Sequence, residues 1–334
     1  MKLPETNLTL SIIIVSYNTR ELTLDSIRAV LIDLKNCPAL KKQTEIIVID
    51  NHSSDNSASA LKSLAKIEPR VKIITNKENL GFAKANNLGI KQSRGELILL
   101  LNSDTQVQTG ALKQLVSTFK QHSVDDTTAH LSSAVNKLDK LGILAATLLN
   151  RDQTLQPQGG SYPTLLSLAT QMFFLDNLPL LKKLLPTTQQ TGRASLAYSL
   201  NSKKLIQQAW VGGAAMMIRR SMLQEINLLD ENIFMYGEDI ELCMRAKHHH
   251  WDIAIDPQAQ VVHYGSASSN ADNAILGEFK AYLFIWAKHK PHWQFFPLKT
   301  LLWFGAILRI FLFGTILKDK HQARVYQQVL SLIK

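Results

Sequence analysis

Residues 10–101 alternate between two periods, and that alternation restricts the fold more than any other feature of the chain. Residues 10–15, 45–49, 71–75 and 97–101 are short runs rich in Ile, Val and Leu. Each is bounded by polar or turn-forming residues, which predicts a buried strand. After the first run, Leu24, Ile27, Leu31 and Leu34 recur at helical spacing, and Pro38 follows that helix. Leu61 and Leu64 mark a second helix, with residues 53–55 placed to cap it. Asn79-Leu80-Gly81-Phe82 turns into a third, which runs to about Gln92. Strands and helices in strict alternation predict a parallel sheet covered by helices on both faces. No GxGxxG or GxxxxGK[S/T] follows any run, which weakens the ordinary dinucleotide and P-loop readings.

In such a sheet, ligands bind beyond the carboxyl ends of the strands. Those ends are polar here: Tyr17-Asn18, Asp50-Asn51, Asn102-Ser103-Asp104 and the region of His263. A helix start at Glu238-Asp239 completes the set. Asp104 closes the apolar run 97–101 and is read as a metal-holding carboxylate. The competing reading makes it a cap for the helix beginning near Gly110.

Residues 121–140 are polar and read as a surface insertion. Residues 142–149 predict another strand, and 150–153 a turn. Glycines and prolines between leucine-rich pieces make 157–198 a region of short helices and loops. Residues 208–218 resume a strand, and 219–229 a helix. Residues 234–239 open an amphipathic helix that carries Ile240, Cys243 and Met244. His248-His249-His250 is an exposed helix end rather than a metal cluster. Residues 253–255 and 261–265 are two last strand pieces.

A hydrophobic content of 46% over 334 residues supports one large domain or two small ones. The net charge of +10 points to acidic partners: nucleic acid, anionic lipid or phosphorylated substrates. The cations are dispersed and accompany no nucleic-acid-binding motif, so nucleic acid is discounted. Cys37 and Cys243 have no metal-ligand spacing and read as reduced thiols. Residues 1–9 are polar and imply no secretion signal. Residues 279–317 are rich in aromatics and leucine, with Lys288, Lys290, Lys299 and Arg309 among them and Lys318 following. Residues 298–317 approach a bilayer-spanning length, but Lys299 and Arg309 interrupt them. A helix lying in the membrane interface is the preferred reading, ahead of a true span or a buried packing helix.

Segments 10–18, 46–57, 79–90, 97–105, 211–220 and 234–245 together resemble family 2 glycosyltransferases of the GT-A fold, and most closely a bacterial rhamnosyltransferase-like branch. The most specific pieces lie at 48–55, 79–87, 101–104 and 237–239, and the resemblance extends over roughly 8–268. It implies an α/β, Rossmann-like, mostly parallel sheet flanked by helices, followed by a basic, aromatic helical tail. Residues 1–275 would be the transferase domain, with a nucleotide-binding half (1–105) and an acceptor half (106–275). Residues 276–334 would be the tail, associated with a membrane.

The resemblance further implies inverting transfer of a sugar, rhamnose or similar, from a dTDP or UDP donor to a cell-surface glycan or lipid-linked acceptor in cell-wall or polysaccharide biosynthesis. The setting would be the cytoplasm, peripheral on the inner membrane face. Asp50 matches the acceptor for the pyrimidine N–H, and Ser16, Tyr17 and Asn18 the loop beneath the nucleotide. Gly81, Lys84 and Asn87 fall in the segment beside ribose and base. Gly81 permits close backbone approach, and Lys84 either meets phosphate or is solvated. Asp104 matches the last carboxylate of the family's DxD element, whose first is replaced by Asn102. One carboxylate with diphosphate oxygens and water still suits Mg²⁺ or Mn²⁺. His263 matches a position that completes the metal site, favouring Mn²⁺, or else is a structural histidine. Asp239 matches the catalytic base. Glu238 would bind an acceptor hydroxyl; helix N-terminal charge complementarity is the competing reading for this pair. Gly212 and Gly213 fall in the sugar-selecting loop, and Asp152 and Gln156 in acceptor loops. The alternative is a nucleotide-sugar-binding or scaffold protein of the same fold without activity, which Asn102 alone supports.

Overall fold

The structure is a computed structural model that describes residues 3–122, 140–175, 178, 185, 204–265 and 271–333. Residues 123–139 of the expected insertion at 121–140, and much of the expected 157–198 region, lie outside the described residues. The predicted alternation is realised as β1 (Leu8–Ser16), α1 (Arg20–Lys35), α2 (Pro38–Lys42), β2 (Thr44–Asp50), α3 (Ser57–Ile67), β3 (Val71–Thr75), α4 (Phe82–Gln92) and β4 (Gly95–Asn102). There follow β5 (Thr105–Val107), α5 (Ala111–Gln121), β6 (Leu141–Leu149), α6 (Leu165–Met172), β7 (Ile206–Gln207), β8 (Ala215–Arg219), α7 (Arg220–Ile226), α8 (Glu238–His248) and β9 (Asp252–His263).

The sheet order is β3-β2-β1-β4-β8-β6-β9-β5, with β7 beside β9. Strands β3, β2, β1 and β4 are parallel, and their register sets Ser16 opposite Asp50 and Val15 opposite Asn102. Three polar strand ends therefore finish at one level. Strand β8 runs antiparallel between β4 and β6, pairing Ala215 with Leu101. That brings the loop ahead of β8 to the same edge, where Asn102 N–H donates to the Ala214 carbonyl at 2.9 Å. Strand β9 is parallel to β6 and ends with His263 opposite Thr105. The two expected strand pieces at 253–265 are one strand. Its register against β6 jumps from Asp256 to Gln260 because Pro257 has no N–H for the ladder.

Alternate side chains feed two cores. Ile12, Ile14, Val48 and Leu99 pack with Ile27, Leu34, Leu115 and Phe119. Ile13, Ile47, Ile98 and Leu100 pack on the other face with Ala83, Met222 and Leu242. Burial on both faces explains the unbroken apolar runs, and each such side chain contributes about 1.5–3 kcal/mol. The N-terminus of α5 is held by Asp33 of α1, which accepts from the N–H groups of Gly110 and Leu112, the latter at 3.0 Å. Asp104 is therefore not that helix's cap.

The C-terminal region contains α9 (Ala271–His289), a 3-10 turn at His292–Gln294, α10 (Phe295–Phe311), a π turn at Leu312–Ile316 and α11 (Lys320–Ile333). The expected boundary after residue 275 falls inside α9. These helices form a third core with α6, including Leu168, Met172, Phe279, Trp286, Leu302, Tyr326 and Val329. Glu241 of α8 fastens α9 in place. It accepts from Arg245 at 2.7–2.9 Å, from Lys288 at 2.6 Å and from His289 at 3.1 Å. Burial alone would raise its pKa, but the hydrogen bonds from His289, Arg245 and Lys288 outweigh it and hold the carboxyl at about 2. Arg309 departs from expectation. It is not an exposed cation on an interfacial helix but is 7% exposed, donating to the carbonyls of Gln171, Met172 and Gly305 at 2.7–3.2 Å. The last carbonyls of α6 lack helical partners, and the guanidinium supplies donors for them.

Candidate active site

The polar strand ends open into a cavity of about 660 Å³. Tyr17, Asn51, Asn79, Phe82, Asn102, Asp104, Gly212, Gly213, Glu238, Asp239 and His263 line it. Gln156 and Trp210 add to the wall, and α9 closes one side with Ile275, Glu278, Tyr282 and Ile285.

At the β1–β2 end, the loops are laced together by short polar side chains. Asn51 donates to the Asn79 side chain at 2.8 Å and the Gly81 carbonyl at 3.2 Å, and accepts from Asn76 at 2.9 Å and Leu80 N–H at 3.1 Å. Asn18, with φ 53°, accepts from Ser54 N–H at 2.8 Å, and its own N–H donates to the Ser53 hydroxyl at 3.0 Å. Asp50 is buried, and its Oδ1 has no hydrogen-bond partner among the described residues. Ser16 faces inward, bonded to Thr23 at 2.8 Å, and does not line the cavity.

Two expected residues, Gly81 and Asn87, pack into the frame around the cavity. Gly81 has φ +78°, and a Cβ there would come within 2.4 Å of the Phe234 carbonyl oxygen. The close approach that it permits is therefore to the segment ahead of α8, whose Phe234 carbonyl accepts from Phe82 N–H at 2.7 Å. Asn87 latches the same segment, donating to the Leu229 carbonyl at 2.9 Å and accepting from Leu229 N–H at 3.1 Å. Lys84 is exposed and lies off the cavity wall, near Glu231, whose carboxyl is held below its usual range chiefly by the Asn87 hydrogen bond, with Lys91 and then Lys84 adding to it. Asp152 is likewise exposed, bonded to Thr154 within its own turn.

Asp104 is 1% exposed, and neither carboxylate oxygen accepts a hydrogen bond. The Asn102 Oδ1 is buried and equally unpartnered. His263 Nε2 stands 3.4 Å from Asp104 Oδ1, while Nδ1 meets Gln156 Oε1 at 2.7 Å. An amide oxygen only accepts, so Nδ1 carries a proton, while Nε2 lies 3.4 Å from both Asp104 Oδ1 and the Asn102 amide nitrogen. The two carboxylate oxygens and the amide oxygen stay unpartnered beside the imidazole, and the nearby Asn102 side-chain N–H is directed at His263 Nε2 rather than at them, an oxygen set that fits a divalent cation. Carboxylate and carbonyl oxygens suit Mg²⁺ or Mn²⁺, and the imidazole favours Mn²⁺. The chain's own donors are few: no group of three or more His, Cys, Asp or Glu lies together among the described residues.

At the opposite pole, Asp239 accepts from Ile240 N–H at 2.8 Å and Gly213 N–H at 3.3 Å. Gly237, with φ +99°, turns the chain into α8 here. Burial pushes the Asp239 carboxyl above its usual range despite these donors. Burial, and then the Asp239 charge, push Glu238 up as well, and Glu238 Oε2 has no partner. The pair thus combines a hydrogen-bonded carboxylate with a neighbour that keeps its proton at higher pH. The sequence reading did not find the hold of Gln156 on His263 or the wall made by α9. The spacing of apolar residues in α9 marks a helix but does not say what it covers.

Residues 11–148 match the family model described as glycosyl transferase family 2. The N-acetylglucosaminyl-diphospho-decaprenol L-rhamnosyltransferase of Mycobacterium tuberculosis is 23% identical over 286 residues, covering 81% of this chain and 83% of that protein. The low-salt glycan biosynthesis hexosyltransferase Agl10 of Haloferax volcanii is 27% identical over 263 residues, 76% of this chain and 65% of that one. The structure of GalNAc-T7 with UDP, GalNAc and Mn²⁺ matches with a TM-score of 0.57 at 11% identity, over 97% of this chain and 54% of that one. The structure of S. aureus TarS 1–349 with UDP matches with a TM-score of 0.51 at 14% identity, over 93% and 74%. The fold is therefore GT-A-like, and the chain belongs to the glycosyltransferases. The family 2 match lies over the first six strands, less than half of the chain.

Proposed function

We propose that this protein is an inverting glycosyltransferase. It moves a sugar, rhamnose or a similar deoxyhexose, from a dTDP- or UDP-linked donor to a cell-surface glycan or lipid-linked acceptor, at the inner face of the membrane. The observation that carries the reading is one cavity with two acidic poles of different character. Asp104 has the His263 imidazole beside it, and neither of its oxygens accepts a hydrogen bond among the described residues. Asp239 has two backbone donors.

In this reading residues 1–105 hold the nucleotide, 106–275 the acceptor, and 276–334 the tail. Asp50 accepts the pyrimidine N–H through its unpartnered oxygen, and Tyr17 and Asn18 shape the floor beneath the nucleotide. Asp104, His263 and the Asn102 carbonyl hold the divalent cation, Mg²⁺ or Mn²⁺. When bound, that ion neutralises charge developing on the departing diphosphate. Gln156 orients His263 by accepting its Nδ1 proton. Asp239 takes the proton of the acceptor hydroxyl while that oxygen attacks the anomeric carbon. The new bond forms on the face opposite the breaking bond to diphosphate, so the configuration inverts. Glu238, protonated at neutral pH, donates to an acceptor oxygen. Gly212 and Gly213 leave backbone-lined room for the donor sugar; a Cβ on Gly212 would meet nothing within 4 Å. The apolar α9 wall suits an acceptor with an apolar portion. The substrate named in the mycobacterial relative's description, a diphospho-decaprenol, supports a lipid-linked acceptor.

The test is a donor screen. Thermal shift is measured with dTDP- and UDP-sugars, each with Mg²⁺, Mn²⁺ or chelator, followed by detection of released nucleoside diphosphate. One donor class should raise Tm in a metal-dependent way. A screen in which no nucleotide sugar shifts Tm with either metal would sink the reading.

A further inference from the structure

Outside the cavity, the largest unexplained feature is an apolar surface on α10. Phe296, Trp303, Phe304 and Phe311 are 78%, 42%, 51% and 55% exposed. Their spacing of i, i+7, i+8 and i+15 puts them on one side of the helix. Ile316 and Leu317 extend the surface, both more than half exposed. The opposite side of α10 is already filled by Leu298, Leu302 and Ala306 in the third core. Among the described residues, no element covers the aromatic side. Helix α6 lies alongside, packed so closely that a Cβ on Gly305 would come 2.6 Å from the Met172 sulfur. Leu166 and Phe173, 58% and 40% exposed, enlarge the apolar surface from that helix.

Charge says what covers this surface. Residues 290–334 contain seven Lys or Arg and a single acidic residue, Asp319. Lys318 and Lys320 are exposed directly beyond Leu317. Exposed aromatics with basic residues at the edge match the headgroup region of an anionic bilayer. There rings sit at the acyl boundary and cations meet lipid phosphate.

We infer that the exposed side of α10, with the adjoining side of α6, docks flat on a bilayer carrying anionic lipids. Flat docking follows from Arg309. His292–Ile316 is a 25-residue stretch apolar enough to cross a membrane. Crossing would strip Arg309 from the carbonyls of Gln171 and Met172 and carry a guanidinium into hydrocarbon. Docking on the exposed side breaks none of those bonds. It also sets the cavity close to the lipid surface. Helix α9 lines the cavity with Ile275 and Ile285 and packs into the third core with Phe279 and Trp286. Packed helix axes lie about 8–10 Å apart, so one helix layer separates the bilayer from the reaction site. The inference deepens the membrane-surface part of the proposed function, and its test does not depend on sugar transfer.

The full-length protein is floated with phosphatidylcholine vesicles, with and without phosphatidylglycerol. It should float with the anionic vesicles, and raised salt should weaken binding, because contacts to headgroup charges are screened. Brominated acyl chains should quench the wild-type tryptophan emission through Trp303. The variant Trp303→Ser/Phe304→Ser/Phe311→Ser should lose vesicle affinity by at least about tenfold, each buried aromatic being worth on the order of a kilocalorie or more. Its nucleoside diphosphate binding should be unchanged. Alkaline carbonate should release the wild type from membranes. Retention after carbonate would overturn the flat dock in favour of a span. Absence of bromolipid quenching would overturn it without recourse to any variant. A dimer that these substitutions dissociate, in a wild type that ignores vesicles, would assign the surface to a second copy instead.

Discussion

The two acidic poles of the cavity are built by opposite means. At Asp239 the backbone supplies donors from Gly213 and Ile240. At Asp104 it supplies none, and the neighbours are the His263 imidazole and the Asn102 side-chain amide. A buried carboxylate with backbone donors can stay charged and still offer a lone pair to an incoming proton. One without donors is costly to bury unless a cation lies against it. One residue type thus acquires two chemistries from its surroundings, as acid–base pairs in enzymes do. The contrast also explains the single carboxylate at the β4 end. In the proposed metal site, Asn102 would bring a carbonyl oxygen where the resembled pattern has a second charge, and His263 would make up the set.

The sharpest way to break the contrast is Asp239→Asn. It keeps the shape and removes the base, so turnover should fall by about 10²–10⁴-fold. Calorimetry should find donor binding intact, and near-wild-type single-turnover rates would remove Asp239 from its role. The pH profile tests the same pole. A base with a raised pKa is lost by protonation as pH falls, so the acid limb of kcat/KM should lie above the ordinary Asp value of about 3.9. Glu238→Gln should leave that limb in place, because Glu238 keeps its proton through that range. A limb at the ordinary value would refute the argument from burial.

At the other pole, Asp104→Ala should abolish the gain in nucleoside diphosphate affinity that Mn²⁺ provides. The loss should exceed the roughly 10–100-fold typical of a group that only supports a metal ligand. Affinity that stays metal-dependent would dissolve the contrast. Gln156→Leu should fall inside that range, about 10–100-fold in Mn²⁺ affinity. Nitrogen-15 shifts of His263 should change from one neutral tautomer to a mixture. A tautomer that changes without loss of metal affinity would keep Gln156 as the orienting group and remove His263 from the metal site.

What was legible in the sequence divides along the same line. The β3-β2-β1-β4 half was readable because its signals are local. Apolar runs give the strands, and the residues that end them, Ser16, Asp50 and Asn102, reach one level through plain parallel register. The opposite half is assembled from contacts distant in the chain. Gln156 and His263 are 107 residues apart, and Arg309 reaches carbonyls 137 and 138 residues away. No window of sequence carries those pairings. A cation in an apolar helix looks the same whether it faces lipid headgroups or the open end of another helix. The motif at 79–87 shows the intermediate case. Its helix was legible, but Asn87 is turned to residues 229–231 rather than to a ligand.

The same motif provides the smallest expected effect. Lys84 sits in the first turn of α4, in a stretch whose likeness to nucleotide-binding segments invites a phosphate contact. It is exposed, however, and its electrostatic partner is Glu231, outside the cavity. A solvated cation screened by water contributes at most a few tenths of a kilocalorie at such a distance. Lys84→Ala should therefore leave nucleoside diphosphate affinity within about twofold and barely alter its salt dependence. A tenfold loss would show that α4 turns toward the donor on binding. In that case the nucleotide side of the cavity, like the metal pole, would be completed only with substrate in place.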